Sequence, residues 1–428
     1  MKTPEEFLAD NGFVTAAELD RQALIASLLS EMEKGLKGEK SSLLMIPAYI
    51  GVDGRIPQGS KAIVLDAGGT NFRGGVVTIP PKVEEKQNQP MPGINGQVGE
   101  DEFYDAFAKE IKRLDGKATV EKVGWCFSYP AESTPDLDAK LLRWTKNVDA
   151  PGIVGQNVGA ELLKRTGGKS IAVVNDTVAT LLAAKATEGD KTYSSYIGFI
   201  LGTGTNTAYV ERNANITKIT DAPAGGSMVI NAESGGFAKI AQSTFDKAMD
   251  AKTHDAGAQI FEKMIAGAYL GRLGLEVLKA AAKDGFFSKE AAQGIQALGS
   301  LESLHLDNFC ADFKADAPNP LDRIFISATD RAMARRLATP IFERAAILTA
   351  IHLAAFIVKT GGGTNPGSPV CVCIDGSTYY KTRAVSFPTI VQSELDKMLG
   401  PRNISFELAV CPDDAPMVGA AVAVLLRR

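Results

Sequence analysis

The sequence predicts an α/β architecture. Strand-like apolar runs alternate with stretches of helical periodicity, several runs end in glycine-rich loops, and two of those loops echo one another. Residues 1–40 are polar and helical in spacing, with a short apolar repeat in L-I-A-S-L-L. Residues 51–60, G-V-D-G-R-I-P-Q-G-S, carry glycine and proline punctuation and read as a hinge. K-A-I-V-L-D opens a strand, and G-G-V-V-T-I continues as a second one after a loop. Residues 81–100 are polar and rich in proline and glycine, so an exposed loop is expected there. E-F-Y-D-A-F-A-K-E-I-K-R-L has helical spacing, and K-V-G-W-C-F-S-Y-P is a strand ending at proline. I-A-V-V-N-D-T reads as a buried strand feeding the helix V-A-T-L-L-A-A-K-A. S-S-Y-I-G-F-I-L-G-T-G-T-N-T-A-Y-V-E-R is a second strand–loop–strand. Ser243 to about Lys283 is mostly helical and broken at D-A-G; V-C-V-C-I-D-G-S is a further strand, and G-A-A-V-A-V-L-L-R-R closes the chain as a helix.

Composition limits the function. A chain of 428 residues suits two or three domains, and 45% hydrophobic with 22% charged residues is ordinary for a globular protein. A net charge of -4 offers no general attraction for nucleic acid or anionic membrane. The N-terminus lacks the apolar core of a signal peptide, and no run of about 18 uninterrupted apolar residues suggests a membrane span. Five cysteines without a C-x-x-C motif are expected to be reduced thiols in a cytoplasmic protein. Three scattered histidines argue against structural zinc.

The two loops suit phosphate. A phosphate needs close backbone N–H groups, which side chains beyond glycine obstruct. Gly68-Gly69-Thr70-Asn71 and Gly202-Thr203-Gly204-Thr205 both offer that surface, although neither is a P-loop or a dinucleotide fingerprint. Gly69, Thr70 and Asn71 recur as Gly204, Thr205 and Asn206, which suggests a duplicated fold with one loop per half. Arg73 is expected to add a charge-assisted phosphate contact. Asp66 makes sense beside an anion if Mg²⁺ lies between them. A tight hairpin with a capping aspartate is the competing reading of either loop alone.

Polar residues also gather at predicted strand ends. Ser128 follows one strand, Trp144-Thr145-Lys146 sits in a loop, and Asn175-Asp176-Thr177 closes another strand. Asn231 and Glu233 lie in M-V-I-N-A-E-S-G-G, and Glu262 in Q-I-F-E-K-M-I. Ligands of open α/β sheets lie outside the carboxyl ends of strands, where Asp176 projects. N-D-T is equally a good helix-capping sequence. Trp144 reads as a packing residue.

These segments together resemble the eukaryotic-type hexokinase family. L-D-A-G-G-T-N-F-R and I-L-G-T-G-T-N are similar to its two phosphate loops. G-W-C-F-S-Y-P, L-L-R-W-T-K, V-V-N-D-T-V-A-T-L, M-V-I-N-A-E-S-G, Q-I-F-E-K-M-I-A-G-A-Y-L-G and V-C-I-D-G-S resemble its remaining motifs, in family order from residue 63 to about 377. The resemblance implies two actin-like, ribonuclease H-type lobes around a central cleft. The small lobe would be 60–172 plus 414–428, the large lobe 1–52 plus 177–410, with hinges near 53–59, 173–176 and 411–413. It implies γ-phosphoryl transfer from ATP, with Mg²⁺, to the 6-hydroxyl of a hexose, glucose foremost. Asp176 would be the base and Lys146 would stabilise the moving phosphoryl group. Ser128, Thr145, Lys146, Asn175, Asp176, Asn206, Glu233 and Glu262 would bind the sugar. Asp66, Gly68, Gly69, Thr70, Asn71 and Arg73 would serve the nucleotide from one side, and Gly202, Thr203, Gly204, Thr205, Asp375, Gly376 and Ser377 from the other. No residue is expected to bind metal directly; Asp66 and Asp176 would reach Mg²⁺ through water. Small-molecule hexose and nucleotide are the expected partners, with no nucleic acid or membrane, and the chain is expected to be a monomer or homodimer.

The sequence departs from the family at three places. W-T-K-G-F is W-T-K-N-V here, with Asn147 and Val148. The tryptophan of I-N-T-E-W-G is Ser234, which suggests a looser cleft wall near Glu233. A serine expected near the adenine is Pro416, which has neither hydroxyl nor N–H, so relaxed purine discrimination is expected. Competing readings are a kinase of mannose, fructose or an amino sugar, a non-catalytic sugar sensor, and an actin-like or chaperone-type ATPase.

Overall fold

The structure is a computed structural model that describes residues 2–427 apart from 119, 146, 168, 188, 190, 221, 223 and 224. Its strands are β1 (Ile46–Pro47), β2 (Lys61–Ala67), β3 (Asn71–Thr78), β4 (Lys82–Pro90), β5 (Lys122–Phe127), β6 (Ala131–Ser133), β7 (Ala139–Leu141), β8 (Ser170–Val174), β9 (Ser195–Leu201), β10 (Thr205–Arg212), β11 (Ser227–Asn231), β12 (Val370–Asp375) and β13 (Phe406–Val410). One sheet runs β4-β3-β2-β5-β8 and the other β1-β11-β10-β9-β12-β13, with a separate β6–β7 ribbon. In the first, β4, β3 and β2 pair antiparallel, and β5 and β8 follow in parallel. The second repeats that pattern as β11, β10 and β9 antiparallel, then β12 and β13 in parallel. The loop echo is therefore a repeat of topology. The β2–β3 and β9–β10 hairpins hold the same place in their respective sheets.

Period-2 alternation explains why β2 is apolar throughout. Ile63 and Leu65 face an aromatic core with Phe103, Phe107 and Trp125, fed by the helix Glu100–Ala118. Ala62 and Val64 face a second core with Met417, Ala420 and Ala421 of the C-terminal helix Ala415–Leu426. Both faces of the sheet are covered, so polar alternation is absent. The third core surrounds the helix Ala328–Thr360. That helix is long and apolar enough to cross a membrane, yet 89% of its apolar window is buried among the other elements.

Two glycines let the central helices approach closely. A Cβ on Gly419 would meet the Ala179 carbonyl oxygen at 2.0 Å, and one on Gly198 would meet Thr177 O and Leu181 N at 2.6 Å. The helix Asp176–Ala186 is thus clamped between the C-terminal helix and β9.

One expectation fails here. Residues 82–90 form β4 instead of part of a loop. This strand is an edge exposed along nearly its whole length, so it carries no apolar alternation to betray it.

Candidate active site

Each glycine hairpin is braced from behind. In the first, the Gly68 N–H donates to Asn71 O at 3.1 Å, the Met91 N–H donates to Thr70 O at 3.0 Å, and the Tyr129 hydroxyl donates to Gly68 O. In the second, the Gly202 N–H donates to Gly204 O at 2.9 Å, while Gly202 O accepts from the Gly267 N–H at 2.8 Å and the Thr378 hydroxyl at 2.7 Å. A Cβ on Gly204 would lie 2.6 Å from Glu262 Oε2, so a side chain there would displace that carboxylate. Gly376, at the end of β12, has φ 122°, and a Cβ there would meet Leu201 O at 2.1 Å. Asp375, Gly376 and Ser377 are thereby pressed against the second hairpin, with Asp375 and Ser377 exposed.

The capping role falls on Asn175. Its Oδ1 accepts the Thr177 N–H at 2.8 Å, and Asp176 is the first helical residue. Asp176 is half-buried; its Oδ1 accepts from the Thr177 N–H at 2.8 Å and the Thr177 hydroxyl at 3.2 Å. Its Oδ2 has no partner among the described residues.

The sugar-type residues converge on one turn. Glu233 has left-handed backbone (φ 52°), a strained conformation of the kind found at functional sites. Its carboxylate accepts from Asn231 Nδ2 at 2.8 Å and Asn206 Nδ2 at 3.2 Å. Asn206 Oδ1 accepts the N–H groups of Thr207 at 2.7 Å and Ser234 at 3.2 Å, which fixes its amide orientation. Glu262 Oε2 accepts the Thr205 N–H at 2.9 Å. The buried Lys263 beside it pairs with Asp250 at 2.5 Å and Asp255 at 3.0 Å, anchoring that short helix.

Electrostatics puts these acids in one crevice. Burial pushes Glu233 and Glu262 above the ordinary carboxylate range. The negative charge of Asp176 raises Glu233 further, and that of Glu233 raises Glu262. Asp66 is likewise raised, by burial and then by Asp176, against the opposing pull of Arg73. Asp66 lies on β2 of the first sheet, Glu233 two residues past the end of β11 of the second, Glu262 on the short helix Ile260–Ile265, and Asp176 at the start of the helix after β8. Arg143, in the loop before Trp144, opposes the rise of Glu233.

Several residues are placed differently from expectation. Arg73 does not offer a free cation to phosphate. Its guanidinium bonds Asp66 through Nε at 2.9 Å and Asp414 through Nη1 at 2.9 Å, and Lys86 completes the chain to Asp414 at 2.7 Å. Asp66 is therefore committed to Arg73, its direct cross-strand partner in the β2–β3 ladder. Ser234 does not loosen the cleft wall. It is fully buried, its hydroxyl 3.0 Å from that of Thr207, which lies 2.7 Å from His352 Nε2. Pro416 stands in the first turn of the C-terminal helix, where a missing N–H costs nothing. Trp144 packs as expected, donating to Ala150 O at 2.6 Å and meeting the Tyr129 ring edge-on at 4.9 Å. Ser128 directly follows β5, its N–H donating to Ala67 O at 3.2 Å. Thr145 is half-buried in the same loop as Trp144, and Lys146 lies outside the described residues. Asn231, bonded to Glu233, and Arg143, whose charge acts on Glu233, join the crevice without having been assigned to it. The polar strand end was the signal for Asn231; Arg143 had none.

No cluster of three His, Cys, Asp or Glu side chains able to hold a metal occurs among the described residues. Asp66, held by Arg73, would meet a divalent ion only by giving up part of that pair. Beside Thr203 and Ser377 a cavity of about 340 Å³ opens, walled by Leu270, Leu304 and Phe342.

Two lobes of repeated topology, each with a bare braced hairpin, around an acid-lined crevice define an actin-like phosphotransferase. Comparison with known proteins gives the family. Two family models, both described as hexokinase, match residues 12–186 and 196–426. Hexokinase-5 of Oryza sativa subsp. japonica is 30% identical over 92% of this chain and 84% of its own length. The Schistosoma mansoni hexokinase is 29% identical over 96% of this chain and 94% of its own. A solved structure of hexokinase from Schistosoma mansoni complexed with glucose matches with a TM-score of 0.75 and 26% identity, covering 99% of this chain and all of that one. The chain belongs to the hexokinase family and is an ATP-dependent hexose phosphotransferase.

Proposed function

We propose that the chain transfers the γ-phosphoryl group of MgATP to the 6-hydroxyl of glucose, giving glucose 6-phosphate for glycolysis. The observation that carries this reading is Asp176: a half-buried carboxylate with one oxygen unpartnered among the described residues, close to Glu233, Glu262 and Asn206. Its Oδ2 takes the hydroxyl proton as the sugar oxygen forms its bond to phosphorus and the bond to the β-phosphate oxygen breaks, releasing ADP. Glu233 and Glu262 accept from sugar hydroxyls, and Asn206, Asn175, Ser128 and Thr145 supply further contacts. An unpaired polar group at such a site costs roughly 1–3 kcal/mol, which favours one epimer over another. Lys146 neutralises charge on the moving group. Mg²⁺, carried on the phosphates, supplies the remaining charge neutralisation. The hairpins at 68–71 and 202–205 present bare backbone to the phosphates, and Asp375–Ser377 face the nucleoside. No disulfide joins the cysteines among the described residues, which suits a cytoplasmic setting.

The test is ADP release by purified protein across glucose, mannose, fructose and glucosamine, with a sugar-free control. Glucose is expected to give the highest kcat/KM. ADP release independent of sugar would make the chain an ATPase, and sugar binding without turnover would make it a sensor.

A further inference from the structure

We infer that Asp307 sets the base preference of the phosphoryl donor, its free carboxylate oxygen accepting a hydrogen bond from the 6-amino group of adenine. The inference rests on the reading that the donor's nucleoside enters the cavity beside the second hairpin. That cavity is continuous with the phosphate loop, because Thr203 lines it and Thr378, another lining residue, holds Gly202 O. Leu270, Leu304 and Phe342 give it the apolar wall a flat ring needs. Asp307 is the one carboxylate in the lining among the described residues.

Asp307 lies on the helix Ser303–Cys310 and is 5% exposed. Its Oδ1 accepts two backbone N–H groups, from Arg383 at 2.8 Å and Ala384 at 2.7 Å. No described residue donates to Oδ2. Burial raises the carboxyl above its ordinary range, opposed by those two N–H groups and by Arg383. An acceptor left open in an apolar cavity discriminates by what faces it. Adenine presents an N–H donor at position 6. Hypoxanthine and guanine present a carbonyl oxygen there, so two acceptors would meet. Strict discrimination follows, the reverse of what Pro416 suggested from sequence.

The donor panel uses ATP, ITP and 2,6-diaminopurine riboside triphosphate at saturating glucose. In the unmodified protein KM for ITP is expected to exceed that for ATP by about tenfold or more, with the diamino analogue close to ATP. Equal KM values for ATP and ITP would overturn the inference without any mutation. Asp307→Asn keeps an oxygen for the two backbone N–H groups and turns an NH₂ donor into the cavity. Its ITP-to-ATP ratio of KM is expected to fall by about tenfold. A ratio that stays put, or an equal loss for both nucleotides, would show that Asp307 does not read the base. Leu304→Trp, at a position 56% exposed, separates the two layers. It is expected to raise KM for ATP and ITP alike. If it moves neither, the nucleoside lies elsewhere and the underlying reading fails first.

Discussion

Glu262 accepts the Thr205 N–H at 2.9 Å, and so ties an acid of the candidate site directly to the second glycine hairpin. The same carboxylate fills the space a side chain at Gly204 would occupy. The proposed sugar contact and the proposed phosphate loop therefore share one strut, so a change at either is expected to be felt at the other.

Asp176→Ala should lower kcat by roughly 10²–10⁴-fold, the usual worth of a positioned base. Hexose binding should stay within about tenfold, since Glu233, Glu262 and Asn206 remain. Pre-steady-state turnover and glucose titration by calorimetry separate the two. A kcat near that of the unmodified protein would remove Asp176 from the mechanism.

Glu262→Gln should stabilise the ligand-free protein while weakening the sugar. The folded protein holds the Glu262 proton more tightly than the unfolded chain. Its favourable contribution is therefore present below the ordinary value of 4.5 and lost as pH rises through the raised value. At neutral pH the amide removes that cost, and the variant gains stability. Melting curves at pH 4 and pH 7.5 should show the variant's advantage only at the higher pH, with glucose KM raised by about tenfold or more.

His352 carries the opposite sign. It is fully buried, stacked on Phe261 at 4.8 Å, and burial lowers its pKa to about 3. The neutral ring stabilises the fold fully above 6.5, and that contribution is lost as pH falls from 6.5 towards 3, by about 1.4 kcal/mol per pH unit. His352→Phe keeps an aromatic ring and should flatten this acid limb of the stability curve. Because Thr207 and Ser234 lean on His352 and Ser234 follows Glu233, glucose KM should rise with kcat nearly unchanged. A shallow acid limb in the unmodified protein would contradict the assignment.

Gly419→Ala should damage both stability and turnover. Its Cβ would need to lie 2.0 Å from Ala179 O, on the helix that begins with Asp176. Overpacking of this kind costs about 1–3 kcal/mol or more. Gly99→Ala is the control, because nothing lies within 4 Å of a Cβ there. Chemical denaturation and kcat measured on both variants should separate them cleanly.

Much of the site was readable along the chain. β2 and β9, the bare hairpins after them and the polar residue pair closing β8 are local patterns. Backbone sterics, residue alternation and nearest-neighbour hydrogen bonds set them within a few positions. The choice between Asn175 and Asp176 as cap was not readable, since both suit it; the geometry of one helical turn decided it. Polar β4 was hidden because an exposed edge strand needs no apolar face. The pairing of Arg73 with Asp414, 341 positions apart, arises only when the C-terminal helix returns over the first sheet. The burial of Ser234 against Thr207 and His352, and the aim of Asp307 into a cavity, are likewise products of packing. Short-range rules name the strands, turns and reactive groups; which charges neutralise one another, and which stay open to a ligand, depends on segments brought together by burial of apolar surface far away in the chain.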